Sequence, residues 1–391
     1  MFSLDRFYNI IHNNLVDPLP NARSIYFYPF GTYRDTIIVN KNFHSCYEKE
    51  SIGVGGSLLI YFVDQEPLYN FDVLTDKSRF IFNSCIIANS EHSAVKTQYI
   101  ADNNRYYDWY YFFHGFLALD WYRDFQYVNP TSFDQFDKVF ICYNHLVSNY
   151  RSYRLHLGSN LISQDLVKHG SVSLFLSDEF GTWQDAVNDP NTLLDPRACA
   201  TITAALSTLT QPLIIDTINP NGTLSATVDF DQLTSALFHI VTETVYFLPK
   251  LHLTEKIFKP IIAHRPFILV AAPGNLAYLK RYGFKTFDRW IDESYDDEQD
   301  HYIRIEKITE EIAKLCAMEP ADLIMMYKEM QEVLDYNFDH FYGEFKNIIV
   351  NEMVDNFADV LDQINSTRAE GHLKYHMSPN NMTIIKKRLS Q

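Results

Sequence analysis

An acidic and a basic residue stand side by side at the start of a predicted helix in the C-terminal half of the chain. Glu255 and Lys256 follow Thr254, a residue type that commonly caps helix N-termini, and apolar residues then recur at helical spacing. A helix start offers free backbone N–H groups and a partial positive charge, which suit a bound phosphate. A carboxylate there can hold a ribose diol, and a lysine beside it can meet a diphosphate. An ordinary first helical turn explains the pair as well, and spacing alone favours that simpler interpretation.

The surrounding stretch, residues 238–292, has the pattern strand, loop, helix, strand, turn, helix. An apolar run ends in Thr242 and Glu243, and His264-Arg265-Pro266 stops the helix that begins at Glu255. A short apolar strand at 267–271 then leads into the turn Pro273-Gly274-Asn275. This alternation is typical of a parallel sheet covered by helices, so the predicted fold class is α/β.

Two carboxylates follow the clearest strand of the N-terminal half. Residues 58–63 read as a strand that runs directly into Asp64-Gln65-Glu66-Pro67. A carboxylate just past a central strand lies at the C-terminal edge of the sheet, where open α/β sheets bind ligands. Glu66 is therefore a candidate base that takes a proton from an acceptor hydroxyl, and Asp64 is the second choice. An acid that only caps a turn explains these residues equally well.

Two arginines follow the first predicted strand of the second half. Residues 138–143 read as a strand closed by Asn144, and Arg151 and Arg154 lie on the next predicted helix, which runs to residue 166. Their spacing of three places them on one helix face. The guanidinium is a planar fork that pairs with two phosphate oxygens, so Arg154 first and Arg151 second are candidates for binding a diphosphate. A solvated basic turn is the alternative for Arg151.

Two further patterns give weaker signals. His114, in the aromatic segment YYFFHGF, can face an acceptor or a cleft, but a lone histidine among aromatic residues is more often a hydrogen-bonded packing residue. Asp229-Phe-Asp231 has the D-x-D pattern of a divalent-cation site, yet Asp231 is better explained as the N-cap of the segment 232–237. We therefore predict neither a metal nor a cofactor.

Composition narrows the class of protein. The 391 residues favour two or three domains, and the net charge of −16 argues against a general nucleic-acid scaffold without excluding a local basic groove. The five cysteines are scattered without a C-x-x-C motif, which is typical of a reducing compartment. The sequence has neither a signal-peptide pattern nor an apolar run of membrane-spanning length. These features predict a protein of the cytoplasm, without membrane contact.

Domain boundaries follow from changes in pattern along the chain. Asn129-Pro130-Thr131 reads as a linker, so we predict one α/β lobe over residues 1–130 and a second over 136–300. Residues 301–391 have helical periodicity at 303–315, 320–334 and 345–364, followed by a polar tail. Part of this block is expected to cross back to the first lobe.

The central stretch resembles a known enzyme family. Residues 253–270, L-T-E-K-I-F-K-P-I-I-A-H-R-P-F-I-L-V, are similar to the T-E-K segment of the fucosyltransferases of glycosyltransferase family ten. The closer resemblance is to virus- and phage-encoded glycosyltransferase-like proteins that also share GFKTFD, here residues 283–288. It implies that Glu255 contacts the ribose of a nucleotide and that Lys256, next to Thr254, contacts the diphosphate. Glu243 stands where the family has an earlier acid, although Thr244 and Val245 replace the usual Asn-Ser.

The resemblance extends more weakly to other segments. Residues 138–176 are similar to the opening of the family's nucleotide-binding half, which adds Asn144 and an arginine to the donor-binding set. Tyr153-Arg154 stands where family members usually have His-Arg. Glu66-Pro67 partly matches the turn that carries the suspected base, and the region of His114 is similar to the viral group.

The resemblance implies a GT-B architecture, in which two Rossmann-like lobes face each other across a cleft. The implied activity is inverting, metal-independent transfer of a sugar from a nucleotide-sugar, GDP-fucose-like, to a hydroxyl on a glycan. Because secretory-pathway fucosyltransferases carry a membrane anchor, the resemblance also leads us to expect an enzyme that acts in the cytoplasm of a bacterium or a virus-infected cell. Two alternatives remain open. One is a phage-type enzyme that glycosylates a modified base in DNA, and the other is a non-catalytic interaction protein that retains the fold.

Overall fold

The chain divides into two compact units, and the first is assembled from both ends of the sequence. Unit 1 comprises Met1–Asp120 and Lys346–Gln391, and unit 2 comprises Trp121–Phe345. The computed structural model describes residues 84–103, 108–127, 135–215, 225–367 and 378–390, with short strands at 17–18, 25–28, 32–33, 36–37, 58–62 and 375–376.

A four-stranded parallel sheet forms the centre of unit 1. Its strands run in the order β2-β5-β6-β8, with every neighbouring pair parallel. The first strands of the chain are β1 (Asp17–Pro18), β2 (Ile25–Tyr28), β3 (Thr32–Tyr33), β4 (Thr36–Ile37), β5 (Leu58–Phe62), β6 (Ser84–Asn89), β7 (His92–Ser93) and β8 (Asp108–Tyr111). The described part of this N-terminal segment contains α1 (Ala94–Asn103) and α2 (Leu117–Trp121), the second reaching the first residue of unit 2. The predicted strand at 58–63 is confirmed, since β5 spans 58–62.

Unit 2 contains a second parallel sheet, in the order β10-β9-β13-β15. Its strands and the short ones around them are β9 (Lys138–Asn144), β10 (Gly170–Leu174), β11 (Ser177–Asp178), β12 (Gly181–Thr182), β13 (Ala236–Thr242), β14 (Lys250–Leu251) and β15 (Phe267–Val270). Every residue of β13 and β15 is buried, as expected for strands covered on both faces. The chain runs from β9 to β10 and then returns to the other side of β9, so the strand order reverses between β9 and β13.

Eight helices of the described chain surround or follow this second sheet. They are α3 (Tyr153–Ser163), α4 (Trp183–Asn188), α5 (Pro196–Leu206), α6 (Phe230–Ser235), α7 (Phe258–Ile262), α8 (Asn275–Arg281), α9 (His301–Ala317) and α10 (Pro320–Tyr342). Short 3-10 helices precede two of them, at Asn149–Arg151 before α3 and at Glu255–Ile257 before α7.

The C-terminal segment returns to unit 1. It consists of α11 (Glu344–Thr367), β16 (Tyr375–His376) and α12 (Pro379–Ser390). The Tyr110 hydroxyl donates to the carbonyl oxygen of Met353 at 3.1 Å, and the Asn356 amide donates to that of Tyr111 at 3.0 Å. The strand β16 pairs antiparallel with β1. The expected return of the last helices to the first lobe is therefore confirmed.

The predicted α/β class, with a parallel sheet in each of two Rossmann-like units and a helical C-terminal region, is confirmed. The observed units differ from the predicted 1–130, 136–300 and 301–391, because residues 301–345 belong to unit 2 and 346–391 to unit 1. Helical periodicity shows that a segment buries one face but not which sheet that face covers. The facing arrangement of two lobes, which the term GT-B includes, stays a prediction.

Two local predictions are corrected. Asp229, not Asp231, caps α6, since its side chain accepts from the backbone N–H of Gln232 at 3.0 Å. Arg151 lies in the 3-10 helix Asn149–Arg151, which begins at a residue with a positive φ of 53°, and not in the α-helix of Arg154, which starts at Tyr153. Among the described helices, none combines the length and the apolar character that crossing a bilayer requires.

Candidate functional site

A cavity of about 190 Å³ lies in unit 2, at the point where the strand order reverses. Ile141 pairs with His239 across the two central strands, and because side chains alternate, Tyr143 and Val241 share their face. All four residues line the cavity. Open α/β sheets bind ligands at such a reversal, outside the carboxyl ends of the strands. One bound water needs about 10–15 Å³, so the cavity has room for a ligand of many atoms.

Three cationic side chains line this cavity. Arg154 comes from α3, Lys256 from the 3-10 helix that precedes α7, and Lys259 from α7. The carboxylate that lines it among the described residues is Asp229, which is already engaged as the N-cap of α6. The positive charges are therefore in excess, and the cavity is suited to an anion.

Arg154 joins the carboxyl ends of the two central strands. Its Nη1 donates to the carbonyl oxygen of Leu146 at 2.9 Å, and its Nη2 donates to the carbonyl oxygens of Thr242 at 3.0 Å and Glu243 at 3.3 Å. Its Nε donates to the Tyr153 hydroxyl at 3.4 Å. These partners are uncharged, so they orient the guanidinium without neutralising it. The contact of Arg154 with a diphosphate stays a prediction.

Of the Glu255-Lys256 pair, only Lys256 lines the cavity, in the segment that begins at Thr254. The Thr254 hydroxyl accepts from the Lys256 backbone N–H at 3.4 Å, which confirms Thr254 as the N-cap. Lys256 Nζ donates to Glu255 Oε1 at 2.9 Å and to the Thr254 hydroxyl at 3.2 Å. The Lys256 side chain is 30% exposed and lines the cavity, whereas Glu255 is buried and does not. Glu255 thus positions the lysine, and its contact with a ribose stays a prediction.

Glu243 lies outside the cavity lining and contacts Thr254, the residue that precedes the pair. Its side chain is buried and accepts from the Thr254 hydroxyl at 2.6 Å, the Thr254 N–H at 3.2 Å and the Thr244 N–H at 3.3 Å. Burial raises the pKa of Glu243, and the nearby Lys256 charge opposes that rise. Glu243 does not line the cavity. It acts on the site through Thr254, so its predicted donor contact stays untested.

The other predicted residues lie outside the cavity wall. Asn144 is buried at the end of β9, where its Nδ2 donates to Cys142 Sγ at 3.2 Å. Arg151 is buried and does not line the cavity, and His114 belongs to a 3-10 helix of unit 1. Arg154 and Lys256 therefore line the same cavity. Glu255 and Thr254 contact Lys256, and Glu243 contacts Thr254.

The predicted base falls in a part of the chain that the structure leaves out. Glu66 and Asp64 lie outside the described residues. The described residues contain no cluster of three or more potential metal ligands. The metal-independent mechanism stays a prediction.

Sequence reasoning missed several residues that line the cavity. Lys259 follows Lys256 by three positions, a spacing that brings two helical side chains to one face and could have revealed it. Its Nζ donates to the carbonyl oxygen of Thr227 at 3.1 Å. The Nδ1 of His145 is buried and has no hydrogen-bond partner in the described part of the chain. His239 stands in an uninterrupted apolar strand, which gives no local signal of a polar site.

No protein-family profile matches the sequence, and no curated protein sequence matches it. Among solved structures, the chain is similar to a mutant form of TarM from S. aureus in complex with fondaparinux, α-GlcNAc-glycerol and UDP. The similarity covers 73% of this chain and 55% of that chain, with 10% sequence identity and a TM-score of 0.29. Similarity of this strength does not bear on the function of this chain, which spans little more than half the length of that structure.

Proposed function

We propose that this protein is a glycosyltransferase whose unit 2 binds the diphosphate of a nucleotide-sugar in the cavity at the strand-order reversal. One observation supports the proposal most directly. Arg154, Lys256 and Lys259, from segments about a hundred residues apart, line one cavity with a single carboxylate, in a chain of net charge −16. Glu255 compensates Lys256 in the absence of a ligand, whereas the partners of Arg154 described above are carbonyl oxygens and a hydroxyl, so a bound anion gains the attraction of a guanidinium charge that its own partners do not neutralise.

The chemistry that follows is electrostatic. Sugar transfer develops negative charge on the leaving diphosphate, and fixed cations lower the free energy of that transition state. Arg154, already oriented by backbone carbonyls, and Lys256, held by Glu255 and Thr254, fit this role without a metal. The resemblance to family ten supports the finer proposals, namely an inverting displacement, Glu66 or Asp64 as the base, Glu255 at the ribose, and a glycan hydroxyl as the acceptor.

Nucleotide binding is the first test. We expect at least one of GDP, UDP, CDP and ADP to raise the melting temperature with EDTA present, because ligands that bind only the folded state stabilise it. Lys256→Ala should weaken that nucleotide about 10- to 100-fold, the equivalent of a lost charged hydrogen bond. Lys168→Ala, an exposed lysine paired with Asp165 outside the cavity, is the matched control and should bind normally.

Catalysis is tested separately. Donor hydrolysis in EDTA should fall in both Lys256→Ala and Glu66→Gln, and the anomeric configuration of the product, read by NMR, should be inverted. Unchanged turnover in both variants would defeat the residue assignments, and retention of configuration would exclude the single displacement.

A non-catalytic protein that retains the fold is the second candidate. The observation in its favour is that carbonyl oxygens already occupy the Arg154 donors and that Glu255 is engaged with Lys256. The absence of a thermal shift with all four nucleotides would favour this candidate over both enzyme classes.

A further inference from the structure

A second cavity, of about 310 Å³, lies elsewhere in unit 2. Three segments form its walls: residues 148–152 before α3, residues 180–186 around β12 and α4, and residues 189–193 after α4. None of its lining residues also lines the first cavity, which we call the cationic cavity because Arg154, Lys256 and Lys259 line it. We call this second cavity the polar pocket.

The chemistry of the polar pocket is opposite to that of the first cavity. Among the described residues that line it, none is Lys, Arg or His, and the charged ones are Asp185 and Asp189. Hydroxyl and amide groups supply most of the remaining polar lining, from Ser148, Asn149, Ser152, Thr182, Asn191 and Thr192. A phosphate or a carboxylate is therefore repelled, while a neutral molecule rich in hydroxyl groups finds both donors and acceptors.

Apolar side chains stand exposed beside these polar groups. Phe180 is 39% exposed and Leu193 is 36% exposed, and both line the pocket together with Tyr150. They belong to the small set of large apolar side chains that the described part of unit 2 leaves so exposed. A pyranose ring has an apolar C–H face and a polar hydroxyl rim, so an aromatic surface bordered by amides and hydroxyls fits both of its sides.

The walls are held in place without a ligand. The Asp178 carboxylate accepts from the N–H groups of Val147 at 2.8 Å, Ser148 at 2.9 Å and Phe180 at 2.9 Å, which ties the segment before α3 to the β11–β12 hairpin. Asp185 and Thr182 form a capping box at the start of α4. A preformed pocket binds at a smaller cost in conformational entropy than one that must order itself.

We propose that the polar pocket binds a neutral saccharide, as a carbohydrate site separate from the cationic cavity. The pocket volume, the absence of cations from its described lining, the 39% exposure of Phe180 and the hydrogen-bonded walls all support this class of ligand. The proposal is independent of glycosyl transfer, because a sugar can bind here whether or not unit 2 takes a nucleotide.

Saturation-transfer difference NMR on the full chain tests the proposal. The probes are the methyl glycosides of glucose, galactose, mannose, fucose and N-acetylglucosamine. We expect at least one to receive saturation, with affinity reduced about two- to tenfold by Phe180→Ala, which removes the aromatic surface. Leu193→Glu, which removes the other exposed apolar side chain of the lining, should also weaken the same probe.

Matched controls separate this site from the proposed nucleotide site. Ile214→Ala truncates another exposed apolar residue, 50% exposed and outside the pocket, and should leave the signal unchanged. Lys256→Ala should also keep the glycoside signal while losing the nucleotide-induced thermal shift. The proposal is overturned if no glycoside receives saturation, or if the signal survives both Phe180→Ala and Leu193→Glu.

Discussion

Thr254 connects the buried acid of the site with its accessible lysine. Its hydroxyl donates to Glu243 Oε2 at 2.6 Å and accepts from Lys256 Nζ at 3.2 Å, while it also caps the helical turn. This hydroxyl, together with Glu255, thus holds the lysine head group in place, and it links that group to Glu243 at the end of β13. This connection explains how Glu243 influences the site without lining the cavity.

We expect Thr254→Ala to destabilise the protein by about 1–2 kcal/mol, since it removes an N-cap and the shortest of the hydrogen bonds described for the buried Glu243 carboxylate. Thr254→Ser keeps the hydroxyl and should recover most of that loss. Urea denaturation of both variants measures the difference. Equal destabilisation by serine and alanine would mean that the methyl group, not the hydroxyl, is what matters.

His239 makes the stability of unit 2 dependent on pH. Its Nε2 lies 2.8 Å from the carbonyl oxygen of Leu233, an acceptor only, so this nitrogen carries the proton of a neutral ring. Burial lowers the pKa of His239 to about 3, from an ordinary value of 6.5. Between these values the unfolded state binds more protons than the folded state, so stability falls as the pH falls through that window.

Between pH 6.5 and about 3, the titration of His239 is expected to lower the free energy of unfolding by up to about 1.4 kcal/mol for each pH unit of acidification. His239→Gln retains a donor for Leu233 but does not titrate, so its free energy of unfolding should decline less steeply between neutral and mildly acidic pH. Chemical denaturation at several pH values measures both slopes. His169→Gln, outside the cavity, is the control, and identical slopes for wild type and His239→Gln would contradict the assignment.

At the scale of elements, α3 lies unusually close to β10. A Cβ at Gly158 of α3 would lie 2.5 Å from Leu174 Cδ2, far inside normal contact. Glycine in a helix interior normally costs stability relative to alanine. Here the close approach reverses that preference. It allows α3, the helix that carries Arg154, to pack at a short distance from the sheet.

We therefore expect Gly158→Ala to destabilise by about 1–3 kcal/mol, the usual cost of overpacking a core, instead of stabilising the helix. Leu174→Ala makes room for the added methyl group, so the double variant should be more stable than the sum of the two single effects predicts. A denaturation-based double-mutant cycle measures this coupling. Additive effects would show that the helix and the strand do not compete for the same space.

Most long elements were located from the sequence, whereas local details at their ends were not. The strands β5, β9 and β13 and the helices α9 and α11 lie within a few residues of their predicted ranges, but α10 extends to Tyr342, eight residues beyond its predicted end. The 3-10 turn before α3 and the N-cap residue of α6 were predicted incorrectly. For α6, either Asp229 or Asp231 satisfies the same sequence pattern. Only the backbone path decides which carboxylate reaches the Gln232 N–H.

At the scale of the whole molecule, the two units differ in which parts of the chain form them. Unit 2 is one continuous segment, whereas unit 1 needs both ends of the chain. In unit 1 the Tyr110 ring packs edge-on against Phe357 at 5.4 Å, and its hydroxyl bonds to Met353. Its core therefore depends on residues more than two hundred positions away.

We expect residues 121–345, produced alone, to unfold cooperatively and to keep the nucleotide-induced thermal shift, because the cationic cavity is lined by residues of that segment alone. Residues 1–120 alone should not fold, since they lack the α11 side chains that bury Tyr110. Circular dichroism and differential scanning fluorimetry of the two fragments measure this. A folded 1–120 fragment, or a 121–345 fragment without cooperative unfolding, would contradict the division.

The sequence by itself determined the α/β class, most of the long strands and helices, and the residue types that can meet a diphosphate. Apolar periodicity and capping residues are local signals, so they are readable without the fold. Only the tertiary structure decided that Arg154, Lys256 and Lys259 line one cavity and that Glu255 and Glu243 lie outside its lining. The physical reason is the strand order: β9 lies between β10 and β13, and this pairing brings together side chains from segments about a hundred residues apart that carry no local sign of each other.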